Sequence, residues 1–151
     1  MSFDSLIGTW DVVNRRLVRR NVGSTEWEEF PGVSRCWRLF DGGANVEEIA
    51  FPTKRFFGLT LRIRDVARDE WSLYWADSRR GTLFPPVTGR FHDGRGEFLG
   101  DDTDDGAPVR VRFAWSDITA TSARWEQAFS TDAGTTWETN WTMAFTRRPG
   151  G

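Results

Sequence analysis

Arg124-Trp125-Glu126-Gln127-Ala128-Phe129, Ser130-Thr131-Asp132-Ala133-Gly134-Thr135-Thr136-Trp137 and Glu138-Thr139-Asn140-Trp141-Thr142-Met143-Ala144-Phe145 run consecutively through the last quarter of the chain. In the first segment Trp125, Gln127 and Phe129 fall on alternate positions. After the second, Trp137, Thr139, Trp141, Met143 and Phe145 do the same. A period of two places those residues on one face of a strand and their neighbours on the other. Between the two runs lies Asp132-Ala133-Gly134, where an aspartate can bond the local backbone and a glycine can adopt positive φ. The reading is two antiparallel strands joined by a tight hairpin.

The same grammar extends outward. Val109-Arg110-Val111-Arg112-Phe113-Ala114-Trp115, Trp71-Ser72-Leu73-Tyr74-Trp75-Ala76 and Leu59-Thr60-Leu61-Arg62-Ile63-Arg64 alternate in the same way. Turn signals separate the runs, at Asp41-Gly42-Gly43, Val66-Ala67-Arg68-Asp69 and His92-Asp93-Gly94. Helical periodicity is hard to find. Roughly nine or ten short strands follow at near-regular spacing, with no linker or composition shift, so residues 1–151 read as a single all-β domain. A meander of that many strands leaves open edges unless it curls shut, which favours an antiparallel up-and-down β-barrel; a two-sheet sandwich also satisfies the periodicity.

The hairpin stretch also matches S-x-D-x-G-x-T-W, the Asp-box of sialidases, at every defined position. The motif occurs once, and 151 residues fall short of a propeller, which needs at least four blades of roughly 40 to 50 residues. It is therefore read as a structural hairpin. Gly8-Thr9-Trp10 near the start resembles the Gly-x-Trp signature of calycins, the lipocalin-like barrels, and Arg147 stands where calycins often place an arginine over that tryptophan. Trp75-Ala76-Asp77-Ser78, Gly89-Arg90-Phe91, Arg124 to Ser130 and Asn140-Trp141-Thr142-Met143 complete a resemblance to a bacterial lipocalin-like family of unknown function. It covers nearly the whole chain, implies a lipocalin-like barrel and brings no catalytic residues.

Composition narrows the remaining classes. A net charge of −2 and a single basic run, Arg15-Arg16-Leu17-Val18-Arg19-Arg20, whose arginines would divide between two strand faces, give no footprint for nucleic acid. No apolar stretch approaches the ~20 residues of a membrane span, and the first residues lack the pattern of a signal peptide. Cys36 is the only cysteine, so no internal disulfide can form. These features together give a cytoplasmic expectation with no nucleic-acid or membrane partner.

His92 is the only histidine and sits in a turn, which removes histidine-based nucleophilic dyads and multi-histidine zinc sites and leaves an axial haem ligand poorly placed. The acidic run Asp101-Asp102-Thr103-Asp104-Asp105 fails as an EF-hand loop, because Arg112 stands where a bidentate glutamate is required, and it reads as a solvated loop. No metal or other cofactor is expected.

The unusual feature is 9 tryptophans and 12 phenylalanines. Such rings fill a core, and in a barrel of this strand number they can also line a cavity for a small molecule. The alternation nominates Trp71, Leu73, Trp75, Phe113, Trp115, Trp125, Phe129, Trp141 and Met143 as an apolar wall, with Gln127 and Thr139 as polar groups on the same face. The ligand expected is a small hydrophobic or aromatic molecule. A second expectation is an isomerase, cyclase or hydratase in the same cavity, with Glu48 as base and Arg38 as electrostatic stabiliser. That requires Arg38 to face in with Cys36 and Phe40, and Glu48 with Val46 and Ala50; the opposite register buries Trp37, Leu39, Ile49 and Phe51, and hydrophobicity prefers it. A third is a homodimeric interaction module using an exposed strand or outer aromatic surface.

Overall fold

The computed structural model describes residues 2–150. Ten strands follow a short 3-10 turn at Phe3–Leu6: β1 (Gly8–Leu17), β2 (Trp27–Leu39), β3 (Ala44–Phe51), β4 (Phe56–Asp65), β5 (Glu70–Asp77), β6 (Val87–His92), β7 (Arg95–Asp104), β8 (Ala107–Ser116), β9 (Ser122–Ser130) and β10 (Glu138–Arg147). Each pairs antiparallel with its sequence neighbours, and β1 pairs with β10, closing an up-and-down barrel. Closure leaves no open edge, which settles the choice between barrel and sandwich. The two-residue turns Asp93-Gly94 and Asp105-Gly106 have positive φ at both positions, the conformation that matches the twist of a hairpin. Asp101 to Asp104, expected in a loop, are the end of β7 instead.

One end of the barrel is plugged. Phe3 is fully buried, with its ring 5.1 Å from Trp71, 4.8 Å from Phe91 and 5.5 Å from Phe98. Trp10 donates its indole N–H to the Leu6 carbonyl at 2.9 Å. The Arg147 guanidinium stacks 4.2 Å from the Trp10 ring and donates to the carbonyls of Ser5, Ile7 and Ala120. The arginine-over-tryptophan arrangement that the calycin resemblance implies is therefore present. It ties the chain's two ends across the barrel floor.

The faces of the walls are less uniform. Along β5 and β8 the apolar members of the alternation face in, with Trp71, Leu73, Val109, Val111 and Trp115 buried. Along β4 the order is reversed: Arg62 is buried, Thr60 faces in with it, and Leu59 stands outside. Gly58 explains the choice, because a Cβ there would lie 2.0 Å from the Trp75 ring. Trp75 fits only if Gly58 faces in, and period two then carries Thr60 and Arg62 inward.

On β2 Ser34 and Cys36 face in while Trp37 and Leu39 are exposed, contrary to the hydrophobic preference; on β3 Ile49 and Phe51 are buried in agreement with it. The proposed Arg38 and Glu48 pair does not form. Arg38 shares the inward phase of Cys36 but lies at the strand's end, where it reaches Asp4 and the Asp41 carbonyl. Glu48 points outward and meets Arg35 at 3.4 Å.

Candidate functional site

At the end opposite Phe3 the interior is not filled. A cavity of about 190 Å³ opens there, bounded by Leu73 and Trp75 of β5, Val111 and Phe113 of β8, Gln127 and Phe129 of β9, and Asn140 and Trp141 of β10. Below it a pocket of about 30 Å³, on the scale of a single water molecule, shares Leu73, Trp75, Phe113, Gln127 and Trp141 as walls. Trp115, Trp125, Met143, Glu47, Thr60 and Arg62 complete the deeper wall.

Of the residues nominated from sequence, nine are thus brought to these two spaces. Trp71 is not among them: it belongs to the plug, against Phe3. Thr139 lines neither space either. The β9–β10 ladder slips between Thr139 and Trp141, a bulge that takes up one extra residue, so Asn140 occupies the inward place that strict alternation assigned to Thr139. No local sequence signal marks that bulge.

Trp141 is the central ring. It lies 6.1 Å from Trp75, 5.7 Å from Trp125 and 5.8 Å from Phe51, in crossed or tilted arrangements. Its indole N–H donates to Asn14 Oδ1 at 3.1 Å, and Asn14 Nδ2 donates to the Phe30 carbonyl at 3.2 Å. The guanidinium of Arg16 sits 5.0 Å from the Trp141 ring while pairing with Glu28 at 2.8 Å. Gln127 Nε2 donates to Asn140 Oδ1 at 2.8 Å, and Asn140 Nδ2, buried, has no hydrogen-bond partner.

The mouth carries charge. Arg20 and Asp104 pair at 2.8 Å, and that hydrogen bond holds the Asp104 carboxyl below its ordinary value. Burial pushes the Asp77 carboxyl up, but the Arg79 guanidinium and the backbone amides of Arg79 and Arg80 outweigh it and leave the group below the usual carboxylate range.

A buried ion pair that the sequence reading missed forms part of the floor. Arg62 pairs with Glu47, and its Nη1 donates to Asn45 Oδ1 at 3.0 Å. Ser34 donates to the other Glu47 oxygen at 2.6 Å. The guanidinium lies between the rings of Phe3 and Trp115, at 5.1 and 5.2 Å, and Arg62 Nε has no partner. A buried charge survives only when paired and hydrogen-bonded, and this cluster meets that condition except at Nε. Cys36 lies 3.7 Å from Arg62, yet burial pushes its thiol up to about 11, which keeps it protonated and unreactive at neutral pH.

Neither remaining sequence motif contributes to the cavity's polar groups. His92 is exposed beside Asp93 at the plugged end. In the Asp-box hairpin Asp132 accepts from Ser130 and from the Thr136 amide and hydroxyl, and Ser130 Oγ accepts from the Gly134 amide. The defined polar side chains are consumed in holding the turn. Among the described residues no group of three or more His, Cys, Asp or Glu is placed to hold a metal ion, and no helix is long and apolar enough to cross a membrane.

The closed, sequentially wound ten-strand barrel is consistent with a calycin-like fold. No protein-family model matches the chain, and no curated protein is significantly similar to it.

Proposed function

We propose that the protein binds a small, flat, mainly apolar molecule carrying a hydrogen-bond acceptor, in the open half of the barrel. The observation that supports this most is the aromatic cavity, with the hydrogen-bonded amides of Gln127 and Asn140 on its wall. Apolar walls favour a ligand that leaves water, and a small shift of the Asn140 amide toward the cavity would let an acceptor on the ligand pair with its N–H. At about 190 Å³ the space is smaller than the roughly 300 Å³ of pockets for drug-sized ligands, which suits a single ring with a short substituent. Catalysis in the same cavity finds less support, because both oxygens of Glu47, the carboxylate on its floor, are already engaged by Arg62 and Ser34.

Trp75 and Trp141 border the cavity, so tryptophan fluorescence reports occupancy directly. Acetophenone and ethylbenzene match in size and differ in the acceptor. Saturable quenching is expected for both, with acetophenone about tenfold tighter, as one hydrogen bond worth ~1–1.5 kcal/mol requires. Asn140→Ala should remove that preference and Trp141→Ala should weaken both ligands. Absence of saturable quenching across a panel of such compounds would overturn the proposal.

A further inference from the structure

We infer that the outer face of β2 to β5 is a self-association surface and that its occupant is a second copy of this chain. The inference does not rest on the cavity. The inversion that turns Arg62 and Glu47 inward turns apolar side chains outward, and they fall in register. Trp37, Val46, Leu61 and Tyr74 are successive cross-strand partners and form one row over four strands. Arg35, Glu48, Leu59 and Ala76 form the next row, and Ala50 with Phe57 continues above it. Trp37 is 46% exposed, Leu59 39% and Phe57 50%, so the face is open to solvent and apolar except for Arg35 and Glu48 in its middle row.

Strands lie ~4.8 Å apart and same-face residues ~6.8 Å apart, so three rows across four strands span roughly 400 Å². That area falls within the ~300–600 Å² of the largest patch on a typical monomer and is about half of the ~800 Å² each partner contributes to a standard interface, so the charge pattern has to select the partner. Exposed Arg55 lies above the patch and exposed Asp65 below it, and the Arg35–Glu48 pair lies in its middle row.

Charge selects the occupant. The only charged side chains within the three rows are one cation and one anion, Arg35 and Glu48, adjacent at 3.4 Å. A face carrying both signs side by side is complementary to itself: across a two-fold axis between them, Arg35 of each copy meets Glu48 of the other. A partner of one dominant charge gains nothing from that arrangement.

Sedimentation equilibrium of the 151-residue chain over a wide concentration range tests the inference. The expected mass is twice 17.3 kDa, falling to 17.3 kDa for Leu59→Arg with an unchanged far-ultraviolet circular dichroism spectrum. Arg35→Glu gathers four carboxylates at the axis and should also halve the mass. Combining it with Glu48→Arg should restore the dimer. A wild-type chain at 17.3 kDa throughout overturns the inference, as does a dimer that survives Leu59→Arg. Dissociation by Arg35→Glu without recovery in the double variant overturns the two-fold arrangement.

Discussion

Along β8 and β9 the apolar residues Val111, Phe113, Trp115 and Trp125 point into the barrel and Arg112 and Arg124 point out, whereas along β4 Leu59 and Leu61 point out and Thr60 and Arg62 point in. Both walls alternate with period two. They differ in sign, and hydrophobicity sets that sign only where the interior has room for large side chains. Near β4 much of the space is taken by Trp75 over Gly58 and by Phe3 rising from the plug, and a planar guanidinium lies between the rings of Phe3 and Trp115. The polar wall is then held by pairing, and the aromatic wall by burial.

If that distinction is right, one wall should be sensitive to loss of a single charge. Glu47→Gln leaves Arg62 buried without its counter-ion and should cost about 3–5 kcal/mol in urea unfolding. Glu97 on β7, exposed and 3.3 Å from Arg95, is the matched control on the opposite side of the barrel, and Glu97→Gln should stay within ~1 kcal/mol. Equal losses for the two would mean that the internal pair does not hold the β3–β4 wall.

The register of the same wall has its own test. Gly58→Ala drives a methyl into the Trp75 ring and should destabilise by about 1–3 kcal/mol, the usual cost of overpacking. In a Trp75→Ala background the same change should cost almost nothing, and the difference between the two backgrounds measures the contact. A Gly58→Ala penalty that persists without the indole would place the cause in the backbone instead.

The aromatic wall was legible in the sequence because its two signals agree. On β5, β8 and β9 alternation and hydrophobicity point the same way, so Leu73, Trp75, Phe113, Gln127 and Trp125 could be placed in the interior without knowing their partners. The polar wall was not legible, since Leu59-Thr60-Leu61-Arg62-Ile63 carries a strong pattern of the wrong sign. What corrects it, Gly58 beneath Trp75 and Glu47 beside Arg62, exists only after three strands have paired. Asn140 was hidden for a related reason: one extra residue in the ladder changes the faces on one side of it, here Glu138 and Thr139, while Trp141, Met143 and Phe145 keep theirs, and the slip depends on β9 as much as on β10.

The Asp-box hairpin is the one element whose stability is local enough to be read from eight residues, and pH can separate it from both walls. Hydrogen bonds from the Thr136 hydroxyl, the Thr136 amide and the Ser130 hydroxyl hold the Asp132 carboxyl down at about 2. A depressed carboxylate contributes stability that is fully present above its unfolded pKa near 3.8 and is lost as pH falls toward 2. The protection of the Thr136 amide, which donates to Asp132, relative to its unstructured exchange rate should therefore fall between about pH 4 and 2, while interior amides of β8 and β9 remain protected over the same range. Asp132→Asn should flatten that profile. Loss of protection in the hairpin and the strands together would tie Asp132 to the barrel as a whole, whereas loss confined to Gly134 and Thr136 would leave the motif as a self-contained clasp at the mouth, with its acid committed to the turn.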